Sequence, residues 1–122
     1  MSPFHKKIVW LTELLKSPPL SGNARIETGF LLRQLQAGIS LGMPHSRPMP
    51  SIGKGCHELR VNDERVTWRF FYRIDDDAIV LLHWVSKKTQ QTAKKDISIC
   101  RARLQQYDAD GGKDEKRKTK KA

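Results

Sequence analysis

Between Gly55 and Lys88 the chain alternates apolar and polar residues with a period of two, and short polar clusters interrupt the alternation twice. From Cys56 to Val61, His57, Leu59 and Val61 fall on one face, while Glu58, Arg60 and then Asn62 fall on the other, the pattern of a half-buried strand. Asn62, Asp63 and Glu64 supply a turn. The run from Val66 to Ile74 repeats the pattern, opposing Val66, Trp68, Phe70, Tyr72 and Ile74 to Thr67, Arg69, Phe71 and Arg73. Its aromatic and β-branched residues suit a pleated surface. After a second turn at Asp75, Asp76 and Asp77, the stretch from Ala78 to Val85 is apolar at nearly every position, which predicts a strand covered on both faces. The spacing therefore predicts a three-strand meander with one apolar and one charged face.

Helical spacing flanks the meander. Ile26, Phe30, Leu31, Leu32 and Leu35 recur at three and four, Ser21 or Asn23 can cap the start, and Gly38 follows as a stop, so a helix is expected here with these residues packed on the sheet. Ile97, Cys100, Leu104 and Tyr107 recur in the same way and predict a second helix over residues 91–107, with Lys94, Lys95, Arg101 and Arg103 on its wetter sides. The N-terminal run with Ile8, Val9, Trp10, Leu11, Leu14 and Leu15 fits a short strand as well as a helix, and Ser17-Pro18-Pro19 ends it in either case. Residues 39–54 carry Pro44, Pro48 and Pro50 and read as an ordered connection anchored by Ile39, Leu41, Met43 and Ile52. One domain is expected over residues 1–110. A tail over 111–122 is expected to be disordered, because KDEKRKTKKA offers nothing to bury.

Charge narrows the class of partner. The 122 residues hold 23 Lys and Arg against 13 Asp and Glu, a net charge of +10, which points to an anionic partner. The last ten residues have six basic and two acidic groups, or +4, so +6 stays in the body and the basicity is not confined to the tail. Two cysteines, Cys56 and Cys100, are too few for a disulfide framework or a zinc site, and a reducing cytoplasmic location is expected. No apolar run approaches the ~20 residues of a membrane helix, so no membrane partner is expected. The run Asp75–Asp77 is a compact acidic turn and a poor metal site; no cofactor is implied.

Taken together and in order, IVWL, SPPLS, ARIETGFLLRQLQAG, HELR, WRFFYRIDDDAIVLL, KKTQ and RARLQQY resemble the RelE/HigB-like toxins of type II toxin-antitoxin systems, in the phage-derived branch of the RelE/ParE superfamily. The resemblance covers nearly all of residues 6–107. It implies a small α+β domain: a twisted, mainly antiparallel sheet made of a short N-terminal strand at Ile8–Leu11 and the three-strand meander, with helices packed on one side. RelE and HigB members cleave mRNA in the ribosomal A site, whereas ParE members poison DNA gyrase; both are silenced by a co-encoded antitoxin. The expected partners are thus a cognate antitoxin, of helix-turn-helix type, together with the ribosome and mRNA. The alternatives are a gyrase poison and a family member that binds antitoxin or RNA without catalysis.

Metal-free RNA cleavage has the 2′-hydroxyl attack its own phosphate, and needs a base, cationic donors for the phosphoryl oxygens and an acid for the leaving oxygen. Arg60 and Arg69 are the expected donors, since each lies on the polar strand face and a guanidinium matches phosphate geometry. Arg73 shares that face; Lys87 and Lys88 stand where the third strand ends, and Lys54 just before the first. Arg73, Lys87 and Lys54 are expected to bind RNA. The resemblance matches Arg60, Arg69 and Lys88 to basic positions of RelE-type toxins, which carry a lysine where this chain has Glu58. Glu58 is a candidate base and equally a cross-strand salt-bridge partner for Arg69 or Arg73. His57 and His83 have suitable intrinsic pKa values, but alternation puts both on buried faces, where they read with Cys56 and Cys100 as packing residues. His45 and Arg47 sit in the proline-rich connection, where the sequence leaves contact with RNA open to them but does not support it.

Overall fold

The central strand of the sheet is the aromatic segment Val66–Ile74. The computed structural model describes residues 5–11, 20–64, 66–87 and 92–111, and in chain order its elements are β1 (Lys7–Trp10), α1 (Gly22–Gln36), β2 (Ser46–Pro48), β3 (Cys56–Asp63), β4 (Val66–Ile74), β5 (Ala78–Lys87) and α2 (Lys94–Ala109). The strand order is β1-β5-β4-β3-β2, with β1 parallel to β5 and the other neighbours antiparallel. This is the small α+β fold expected from the resemblance, including the N-terminal edge strand. The expected tail lies outside the described residues, apart from Gly111.

The sheet carries a core on each face. Toward α1 lie Leu59, Val61, Trp68, Phe70, Tyr72, Ile79 and Leu81; toward α2 lie Cys56, Phe71, Val80 and Leu82. Both helices were expected on one side, and the structure puts them on opposite sides. The continuous apolar run of β5 explains why: it has side chains to bury both ways, and one helix can cover only one face. Phe71 pairs with His83 and Tyr72 with Leu81, so Leu82 is an extra residue, a bulge that packs under α2.

Helix α1 begins at the Ser21 cap, whose hydroxyl accepts from the Ala24 N–H at 3.2 Å, and is closed after Ala37 by Gly38 at φ 86°. Its buried stripe is Ala24, Thr28, Leu31, Leu32 and Leu35. Ile26 and Phe30, expected in the packed face, are 71% and 52% exposed. They lie about 200° around the helix from Ala24 and Thr28, and the small residues win because they let the helix approach the sheet. Helix α2 starts three residues later than expected and buries Cys100, Leu104 and Tyr107 as expected. Arg103 is half-buried rather than wet and donates to the Leu82 carbonyl at 2.6 Å. In the connection before β3, Ile52 is buried, Leu41 packs against the α1 core, and Ile39 and Met43 are exposed; Met49 takes the anchoring place expected of them. No helix of the described residues is long and apolar enough to cross a membrane.

Candidate functional site

Four ionic side chains meet on the α2 face of β2, β3 and β4. Strand pairing sets them there: Arg47 of β2 lies across from Glu58 of β3, and Arg60, two residues further along β3, lies across from Arg69 of β4. Glu58 is fully buried. Its Oε1 meets Arg47 Nε at 3.0 Å and Arg60 Nε at 3.4 Å, and its Oε2 meets Arg69 Nη1 at 3.4 Å. Thr92, just before α2, also donates to Oε2 at 3.4 Å and accepts from Arg47 Nη2 at 3.5 Å.

Two arginines directly opposite one another would repel across the sheet. The Glu58 carboxylate between them removes one charge and leaves the four groups at +2, and that excess is graded outward. The Arg69 side chain is 2% exposed, Arg60 13% and Arg47 32%. Burial pushes the Arg69 guanidinium below its ordinary pKa, with Glu58 opposing that and Arg60 and Arg47 adding to it. Thus Arg69 and Glu58 form the floor of the cluster, and Arg60 and Arg47 its rim. A carboxylate with both oxygens taken by guanidinium groups is the salt-bridge partner that the sequence offered as one of two readings, and it partners Arg69 rather than Arg73.

Arg60 leaves the cluster at a cleft of ≈ 250 Å³ lined by Glu27, Pro44, His45, Arg60, Asn62 and Thr67. A larger cleft of ≈ 470 Å³ at the start of α1 is lined by Glu27, Asp63 and Glu64 among others, an acidic surface of the wrong sign for a phosphate.

The remaining expected site residues separate from this group. Arg73 donates to both oxygens of Asp75 at 2.7 and 3.1 Å and to both of Asp108 at 2.9 and 3.0 Å, and lies over the Tyr107 ring. These carboxylates hold its pKa above the ordinary arginine value, and the arginine clamps the end of α2 to β4. Lys54 is exposed in the turn before β3. The backbone of Lys87 ends β5 opposite Thr67, while its side chain and all of Lys88 lie outside the described residues.

A second polar group escaped the sequence reading. His83 Nε2 lies 3.0 Å from Asp96 Oδ1, Arg103 Nη1 lies 3.4 Å from His83 Nδ1, and the ring stacks on Phe71. Asp96 is 2% exposed, in the first turn of α2. With a partner at each ring nitrogen, His83 ties α2 to β5. His57, the other meander histidine, stacks on Tyr72 at 5.4 Å. Arg47 was missed because only the pairing of β2 brings it to Glu58.

A family model described as Phage derived protein Gp49-like (DUF891) matches residues 13–105, about three quarters of the chain. The chain belongs to the Gp49-like family. That family is associated with toxin-antitoxin systems. The matched stretch of this Gp49-like protein holds Arg47, Glu58, Arg60 and Arg69, as well as His83 and Asp96. Neither the curated proteins nor the solved structures give a match.

Proposed function

We propose that this Gp49-like protein is the toxin of a type II toxin-antitoxin system and that it acts in the RelE/HigB manner, as a ribosome-dependent mRNA endoribonuclease held in check by an antitoxin. The observation that carries the reading is the rim of the arginine cluster. Arg60 reaches solvent while a buried carboxylate fixes its guanidinium, which is how a donor is preorganised for charge that grows on a phosphoryl oxygen. Arg60 is the substrate-facing donor and Arg47 a second cation beside it. Arg69 and Glu58 are positioning residues beneath them, and Glu58 is no longer the proposed base.

Replacing Arg60 with Ala should cut mRNA cleavage in a translation extract by ~100-fold or more, the range for loss of a preorganised donor. Ribosome affinity and melting temperature should be little changed. Undiminished cuts in Arg60→Ala would remove Arg60 from the site, whereas no cuts by the unaltered protein together with inhibited gyrase supercoiling would move it to the gyrase-poison class. The neighbouring gene should encode a helix-turn-helix protein that co-purifies with this one and relieves growth arrest.

A further inference from the structure

We propose that the cleft beside Arg60 takes one nucleotide of an RNA strand, with its phosphate on Arg60 and His45 as the group that moves the proton. This rests on the ribonuclease reading above and adds to it a base in place of Glu58, whose carboxylate oxygens are occupied by arginines.

Three observations carry it. First, the Arg60 N–H donates to the His45 carbonyl at 2.8 Å, which continues the β2–β3 register by one step beyond the Ser46–Leu59 pair and sets His45 across from Arg60. Second, among the described residues the His45 imidazole has no partner, in contrast to His83 and His57, whose rings are bonded or stacked. The ring is exposed, and imidazole is the side chain that most often serves as a general base. Third, the lining is mixed in a way that suits a nucleotide better than a bare anion. Thr67 Oγ1 donates to Asn62 Oδ1 at 3.1 Å, which leaves the Asn62 amide N–H₂ to donate into the cleft, and the Glu27 carboxylate can accept from a ribose hydroxyl or an exocyclic amine. A lone phosphate would meet Glu27 as a like charge. Among the described residues, the charged groups that line the cleft with His45 are Arg60 of β3 and Glu27 of α1.

In the step assigned to this cleft, the 2′-oxygen bonds to phosphorus and gives its proton to His45, and the bond from phosphorus to the 5′-oxygen breaks. The leaving oxygen takes a proton from water, giving a 2′,3′-cyclic phosphate and a 5′-hydroxyl with no change of oxidation state. Arg60 holds the charge on the non-bridging oxygens meanwhile.

The test has two arms on the full chain. In the first, adenosine 3′-monophosphate and inorganic phosphate are titrated against labelled protein by NMR. The nucleotide is expected to move the amides of Arg60, Asn62 and Thr67 and the ring resonances of His45; inorganic phosphate is expected to do so more weakly. In the second, His45→Gln and His45→Ala are expected to lose ~100-fold in cleavage and the acid limb of the pH–rate profile, the contribution of general-base catalysis, while still binding the nucleotide. If the unaltered protein cuts RNA and His45→Gln cuts as fast with the same acid limb, this proposal falls and the ribonuclease reading stands. If nothing is cut while the nucleotide still moves Arg60, Asn62 and Thr67, the ribonuclease reading falls together with the His45 chemistry, and only the nucleotide cleft stands. A nucleotide that moves none of the lining residues overturns the proposal outright.

Discussion

Glu58→Gln tests whether the carboxylate is the anchor of the arginine cluster. The substitution keeps size and shape but removes the negative charge that, among the described residues, three guanidinium groups share, one of which, Arg69, is 2% exposed. Breaking a buried pair by removing one partner costs about 3–5 kcal/mol, because the remaining charge cannot recover its hydration. Arg47 and Arg60 reach solvent and should relax, so the loss concentrates on Arg69 and the lower end, about 3 kcal/mol, is expected. For a domain of this size that is a fall of roughly 10 °C in melting temperature. Urea denaturation followed by tryptophan fluorescence measures it directly, since Trp68 and Trp84 pack together inside the fold with ring centroids 5.4 Å apart. The double variant Glu58→Leu, Arg69→Met should recover much of the loss, because an apolar pair of similar volume can replace a buried ion pair at little cost. A loss below about 1 kcal/mol in Glu58→Gln, or a double variant less stable than either single one, would refute the anchor role.

Two further outcomes follow from titratable groups elsewhere. Asp63 accepts from the Ser21 N–H at 2.9 Å and from Trp68 Nε1 at 3.0 Å, and these bonds, the Ser21 backbone first, hold its pKa below the usual carboxylate value. A carboxyl whose pKa is lowered by folding stabilises above its unfolded pKa of about 4 and loses that contribution as pH falls through the folded value. The melting-temperature gap between the unaltered protein and Asp63→Asn should thus be widest near neutral pH and close in acid; a gap independent of pH would exclude the charged bond. Burial pushes the Cys56 thiol to about 11 and the Cys100 thiol to about 12, so at pH 8 neither should react with a disulfide reagent until denaturant is added. Rapid labelling of the native protein would show that one of them is reached by solvent.

The meander was legible because each of its strands buries at least one face, so the alternation survives in the sequence; β4 spans Val66–Ile74, the predicted range. Strand β2 was not, since three residues ending in Pro48 carry no period. With β2 hidden, Arg47 had no visible route to Glu58, and His45 none to Arg60. The charged face misled in another way. Alternation places Glu58 and Arg69 on the polar side of their strands, and the sequence does not say that Thr92 and α2 close over that side. The same limit applies to Arg73, whose carboxylate partners lie two and thirty-five residues away. Helix α1 shows that periodicity fixes an element more firmly than its orientation, for Ile26 and Phe30 keep the right spacing on the wrong side.

The parallel pairing of β1 with β5 sets an order on how a newly made chain acquires this fold. Lys7 pairs with Ala78, 71 residues later, so β1 has no neighbour in the described sheet until β5 emerges from the ribosome. At roughly 5–20 residues per second that wait is about 4–14 s, during which the apolar side chains of Ile8, Val9 and Trp10 have no sheet to join. The arginine cluster is later still, for Thr92 closes it after β5 is complete. A nascent chain therefore carries much of the charge of this protein before it carries the arrangement, and the arginine cluster exists as a structure only once Thr92 has been added.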